Sequence, residues 1–230
     1  MAASQRESDR HIANLMILGE SFVSRLETSL QHGDHVYCPE TDGPLHVFAR
    51  DALKSPMEIN HVFFHGVSGA GCTPNSSKPF KLPGPVLLRT NPKLAIIEIG
   101  GNDVDSPAVP DEITIHKVEL AHNLIQLYDV RLVALTTILP RETCRSVTPG
   151  LFREKAHLVN LITSRLLEDH PNIVFLKHKG FWKDAVGKRI STSTWSTDGV
   201  HPDTDLGRKK YQKSLTACLH DLVKVYRKLD

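Results

Sequence analysis

Five short apolar runs, 15–18, 62–64, 94–99, 132–138 and 173–176, are separated by longer stretches in which apolar positions recur every three or four residues. The runs are continuous in Val, Ile and Leu rather than alternating with polar residues, which suits strands of a parallel sheet buried on both faces. The intervening spacing predicts helices over 21–31, where Phe22, Leu26 and Leu30 fall at four-residue intervals, and over 111–128, where Val118, Ala121, Leu124, Ile125 and Tyr128 share one side. Two more are predicted over 149–169, opened by Pro149 and closed by Pro171, and over 206–229. Strand and helix patterns in alternation predict an α/β fold with a doubly wound sheet. Residues 35–60, cut by Pro39, Pro44 and Pro56, resist assignment, and 47–53 read as a helical turn or two.

A length of 230 residues fits a single α/β domain, here expected over 11–230 behind a polar lead-in at 1–10. No apolar run approaches the length that crosses a bilayer, and the first ten residues lack the apolar core of a secretory signal, so the expectation is a cytoplasmic chain. Cys38, Cys72, Cys144 and Cys218 are scattered without a Cys-x-x-Cys pair, which argues against a zinc module and a thioredoxin-like motif and for thiols in a reducing compartment. His61 and His65, four apart on a strand-like segment, make a poor metal site. The run Arg208, Lys209, Lys210, Lys213, Lys224, Arg227 and Lys228 reads as a solvated helix face in preference to a nucleic-acid contact, since no recognised motif or aromatic row accompanies it.

The informative polar residues stand where the apolar runs stop, and ligands of open α/β sheets collect outside the carboxyl ends of the strands. The first run breaks at Gly19 and delivers Ser21 just before a helix, as a nucleophile or as a plain helix N-cap. The second leads into His65-Gly66-Val67-Ser68-Gly69-Ala70-Gly71, whose glycines let backbone amides approach a ligand or simply let the chain turn. The third ends in Gly100-Gly101-Asn102-Asp103. Near the other end of the chain, Asp198-Gly199-Val200-His201-Pro202 places an acid and an imidazole three residues apart. Such a loop can fold back so that the carboxylate accepts from Nδ1–H and the second ring nitrogen faces outward as a general base, or it can be a turn with a surface histidine.

Taken together and in this order, the blocks Gly19-Glu20-Ser21, Val67-Ser68-Gly69, Gly100-Gly101-Asn102-Asp103 and Asp198-Gly199-Val200-His201-Pro202 resemble those of the SGNH hydrolases, also called the GDSL esterase/lipase superfamily. The resemblance implies a three-layer α/β/α sandwich around a five-stranded parallel sheet. It matches Ser21 to the nucleophile, His201 to the general base and Asp198 to the acid that orients it. Gly69 and Asn102 match the donors that join the Ser21 amide in an oxyanion hole. The implied activity is hydrolysis of the carboxylic ester of a small molecule through an acyl-enzyme, chemistry that requires neither a metal nor an organic cofactor. Two positions depart from the family pattern: Glu20 stands where an aspartate is usual, shifting its carboxylate by a methylene, and Phe22 replaces a leucine.

A competing nucleophile is Ser68 in Gly66-Val67-Ser68-Gly69-Ala70, but Ala70 breaks the Gly-x-Ser-x-Gly elbow of the α/β-hydrolases and that reading leaves the Asn102 block unused. A second alternative keeps the fold as a weakly catalytic binding or assembly module that contacts nucleic acid through its basic final helix. The acyl group is left to the segments 73–85, 104–110 and 141–149, whose mixed composition does not select one.

Overall fold

In the computed structural model, residues 13–30, 34–38, 43–49, 53, 56, 58–182, 195–202 and 204–229 are described. The lead-in expected over 1–10 and much of the loop that precedes Asp198 lie outside them. The strands are β1 (Ala13–Gly19), β2 (Asp34–Cys38), β3 (Gly43–Ala49), β4 (Ile59–Gly66), β5 (Leu94–Glu98), β6 (Leu132–Thr136) and β7 (Ile173–Leu176). The helices are α1 (Ser21–Ser29), α2 (Gly84–Thr90), α3 (Gly101–Val104), α4 (Pro110–Tyr128), α5 (Pro149–Leu166) and α6 (Asp205–Tyr226).

The strands form one sheet in the order β2-β3-β4-β1-β5-β6-β7. β4, β1, β5, β6 and β7 run parallel, the five-stranded core expected from the apolar runs. Their continuous apolar sequences follow from burial on both faces. On β1, β5 and β6, Leu15, Ile17, Leu94, Ile96, Leu132 and Ala134 point into a core closed by α1 and α6. Their neighbours Met16, Leu18, Ala95, Ile97, Val133 and Leu135 point into a second core closed by α2, α4 and α5. Alternate side chains of a strand face opposite ways, so a strand covered on both sides is apolar at every position.

The antiparallel pair β2 and β3 extends this sheet and corrects, at 47–49, the helical turn expected over 47–53, while Leu53 at its far end does lie in a 3-10 turn. The chain is extended as far as Ala49, and residues 50–52 lie outside the described set. Backbone pairing of Val47, Phe48 and Ala49 with β4 overrides a local pattern that carries no clear period of its own. The proline-rich stretch after β4 also holds an element that the pattern reads only as loop. Pro85 stands in the first turn of α2, where its missing N–H costs nothing.

The chain places β4 on one side of β1, then crosses to β5 on the other, so the order in which strands are added reverses between the parallel neighbours β1 and β5. At such a switch point the loops leaving two adjacent parallel strands diverge and leave a crevice at the carboxyl edge. Ser21 follows β1 and Asn102 follows β5, so these two candidates sit on either side of that crevice.

Ile17 is fully buried on the central strand, opposite Phe64 of β4 and Ile96 of β5. Ile17→Ala is expected to cost about 2–5 kcal/mol, read as a lowered urea midpoint with unchanged slope, because the packed sheet cannot collapse around the void.

Candidate active site

Ser21 opens α1, so its backbone N–H is among those a helix leaves without an intrahelical acceptor. Its side chain is buried at the carboxyl edge, and Oγ lies 2.6 Å from Nε2 of His201, 180 residues away in the chain. On the other side of the ring, Nδ1 lies 2.7 Å from Oδ2 of Asp198. A carboxylate can only accept, so Nδ1 carries the hydrogen and Nε2 presents its lone pair to the serine hydroxyl. The acid and imidazole therefore fold back on one loop as the spacing allowed, and the imidazole is not a surface group: His201 is buried, with the Phe22 ring 5.3 Å away.

The loop that carries them is tightly bonded. Oδ1 of Asp198 accepts from the amides of Val200 and His201 at 2.8 and 3.0 Å and from the Ser196 hydroxyl at 2.5 Å. The Ser196 amide donates to the His201 carbonyl, and the Glu142 and Thr143 amides donate to the Gly199 carbonyl. Gly199 has φ +64 and abuts Thr143 so closely that a side chain there would displace it. Desolvation opposes ionisation of Asp198, but the hydrogen bonds from Ser196, His201 and Val200 outweigh it and hold the carboxyl well below the usual range. Burial pushes His201 below the ordinary imidazole value despite the neighbouring carboxylate, so the ring is a neutral base at neutral pH.

Asn102 lies on the short helix α3, held by three elements at once. Its Nδ2 donates to the Ala70 carbonyl at 2.8 Å, its Oδ1 accepts from Nη2 of Arg141 at 3.1 Å, and its backbone amide donates to Oε2 of Glu20 at 3.2 Å. Arg141 can only donate, which fixes the orientation of the amide group, and the second Nδ2 hydrogen is left for a ligand. Gly69, at φ +77, lies in the adjacent turn after β4. Ser68 next to it is exposed, and no histidine among the described residues lies within hydrogen-bond reach of its side chain; only its carbonyl is engaged, by Lys78.

Glu20 does something the sequence does not reveal. Instead of capping α1, its carboxylate reaches across the switch point to the α3 backbone and to the buried Arg141 guanidinium, 3.4 Å away. Gly101 is required by this approach, since a Cβ there would come within 2.5 Å of the Glu20 carboxylate and 2.7 Å of Arg141. Arg141 also pairs with Asp105 at 3.6 Å and covers the Phe152 ring.

The acids after β5 tie the surrounding loops. Asp103 accepts from the amides of Cys72 and Thr73 and from the Thr73 hydroxyl. Asp105 accepts from the amides of Arg145, Ser146 and Val147. Nothing in the local sequence identifies Arg141 or Asp105 as site residues; both act through partners on other elements.

A second serine, histidine and carboxylate meet below the crevice. Ser214 lies 3.0 Å from Nδ1 of His178, whose Nε2 lies 2.7 Å from Glu98, and Tyr211 donates to the same carboxylate. All four side chains are buried, and the network joins the end of β5 to α6.

Comparison with known proteins adds to this geometry. A model of the GDSL-like lipase/acylhydrolase family matches residues 18–206. Among solved structures, Est24, a carbohydrate acetylesterase from Sinorhizobium meliloti, superposes with a TM-score of 0.58 at 16% identity over 93% of this chain and 99% of its own. A GDSL-like lipase from Bacteroides thetaiotaomicron gives 0.57 at 16% identity over 96% and 95%. A family two carbohydrate esterase from Clostridium thermocellum, in complex with cellohexaose, gives 0.56 at 13% identity over 93% and 65%. At these identities the likeness shows the fold. Curated protein sequences give no match.

Glu20 also generates a stability prediction. Burial pushes its carboxyl from 4.5 up to about 7, against the pull of Arg141. A group whose pKa is raised on folding favours the fold below its unfolded value, and that contribution is lost as pH climbs through the folded one. Glu20→Gln cannot ionise, so its urea midpoint should rise relative to the wild type between pH 4.5 and about 7 and stay level above that window.

Proposed function

Since the chain belongs to the GDSL-like lipase/acylhydrolase family, we propose that it hydrolyses carboxylic esters with Ser21 as nucleophile, His201 as general base and Asp198 as the acid that orients it. The observation that carries this reading is the unbroken line from Asp198 through both nitrogens of His201 to the Ser21 hydroxyl, at 2.7 and 2.6 Å.

A serine hydroxyl is a weak nucleophile at neutral pH, so His201 takes its proton as Oγ attacks the ester carbonyl. Negative charge then gathers on the former carbonyl oxygen. The amides of Ser21 and Gly69 and the free Nδ2 hydrogen of Asn102 are the donors assigned to it, each typically worth about 3–4 kcal/mol when preorganised. His201 returns the proton to the departing alkoxide, and the C–O bond to the alcohol breaks. Water, deprotonated by the same imidazole, then attacks the acyl-enzyme and releases the acid and free Ser21. Asp198 remains ionised throughout, keeping the productive tautomer and stabilising the imidazolium.

Arg141 and Glu20 are positioning residues in this reading. The guanidinium on Oδ1 turns Nδ2 of Asn102 toward the reacting oxygen, and the Glu20 carboxylate holds both the guanidinium and the α3 backbone in place.

Fluorophosphonate labelling separates the two serines: Ser21→Ala is expected to abolish labelling and turnover of p-nitrophenyl acetate, and Ser68→Ala to retain labelling. Loss of labelling in the Ser68 variant with retention in the Ser21 variant sinks the assignment.

The base must be neutral, and burial lowers the His201 pKa, so kcat/KM should be flat at neutral pH and fall only below pH 6.5. An acid limb above 6.5 contradicts the environment assigned to the ring.

A further inference from the structure

A cleft of about 550 Å³ opens beside Gly69 and Asn102 and is bounded by the turn after β4, the segment between α3 and α4, and the loop after β6. Its volume lies within the range that holds a small ligand. Its lining differs from that of a lipid site. The side chains of Asn75, Ser76, Ser77, Glu112, Arg145 and Ser146 border it, and none of the six hydrogen-bonds or ion-pairs with another described residue. The apolar side chains on its wall are only those of Pro107 and Ala108.

This lining distinguishes among esters. A fatty chain is favoured only where it leaves water for continuous apolar surroundings, and here the wall offers it just the Pro107 and Ala108 side chains among polar ones. By covering unpaired hydroxyls, an amide and two charged groups, it would also leave each of them without a partner, which opposes binding. A strongly anionic group fares little better, because Glu112 offsets Arg145 and the nearby Asp105 carboxylate is already taken by Arg141 and three amides. What suits neutral hydroxyls, one amide and one charge of each sign is a ligand with hydroxyl groups on several sides, each able to donate and accept.

We propose that this cleft is a polyol-binding site, so that the ester cleaved is a short acyl group on a sugar or similar polyhydroxylated alcohol, with Asn75 and Arg145 as its specificity-determining residues. The proposal rests on the Ser21 reading for its chemistry, while the binding of the polyol itself does not need turnover. Asn75 and Arg145 line the cleft from different loops, one after β4 and the other after β6, and neither has a side-chain hydrogen bond or ion pair with another described residue to lose.

The test compares kcat/KM of the full chain for methyl 6-O-acetyl-β-D-glucoside, ethyl acetate and p-nitrophenyl esters from acetyl to octanoyl. The glucoside acetate should exceed ethyl acetate by at least about tenfold, the worth of one or two net hydrogen bonds, and activity should fall as the acyl chain lengthens. In the Asn75→Ala/Arg145→Ala variant the glucoside-to-ethyl ratio should drop toward unity. Saturation-transfer NMR with methyl β-D-glucoside, which has no ester to cleave, should detect contact in the wild type that weakens in the variant. A ratio near unity in the wild type, a rate that rises toward octanoyl, or an unchanged ratio in the variant overturns the proposal. If no ester turns over and no fluorophosphonate adduct forms, the Ser21 reading fails, and the NMR contact then decides the cleft by itself.

Discussion

The carboxyl edge of the sheet is held together by one buried guanidinium. Arg141 leaves the end of the β6 segment and meets Glu20 from the β1 end and Asn102 and Asp105 from the β5 side, so that three strands' worth of loop converge on a single planar cation. Burying a charge of that size is costly unless it is paired, and removing one partner of such a cluster typically costs about 3–5 kcal/mol. A planar fork can satisfy several acceptors in fixed directions, which a lysine cannot. The same contacts that make the burial tolerable also set the direction of the Asn102 amide, so stability and site geometry share one origin.

That origin explains the departure at position 20. A glutamate is longer than an aspartate by one methylene, and here the extra reach lets its carboxylate cross the crevice to α3 and Arg141 without any role in capping α1. Gly101 leaves the space the carboxylate occupies. The substitution thus falls within an arrangement that accommodates it, and the neighbouring Phe22 finds a place too, with its ring between His201 and Tyr211.

A division of labour follows among residues that are neighbours in sequence. On and after α3, Asn102 faces the crevice, Asp103 clamps the glycine turn that carries Gly69, and Asp105 clamps the loop that carries Arg145. Three polar side chains in four residues therefore fix both walls of the cleft relative to the site. The hydroxyl-rich wall and the serine edge belong to one rigid construction, with β5 at its centre and a second buried network, Glu98 with His178, Ser214 and Tyr211, anchoring that strand's end to α6.

The chain by itself determined the five parallel strands and four of the helices, because burial on both faces leaves an unbroken apolar run and burial on one leaves a stripe, and both patterns are local. It also determined which polar residues follow the first and third apolar runs, Ser21 and Asn102, and that an acid and an imidazole stand three residues apart at Asp198 and His201. What only the tertiary structure decided are the features made by partners far apart in the sequence: the extended β2 and β3, fixed by pairing to β4, and the place of Arg141, 121 residues from Glu20 and with no motif around it. The polarity of the cleft belongs to this group as well, because a serine or asparagine in a loop reads the same whether it faces water or a ligand, and only the meeting of three separate loops makes it a wall.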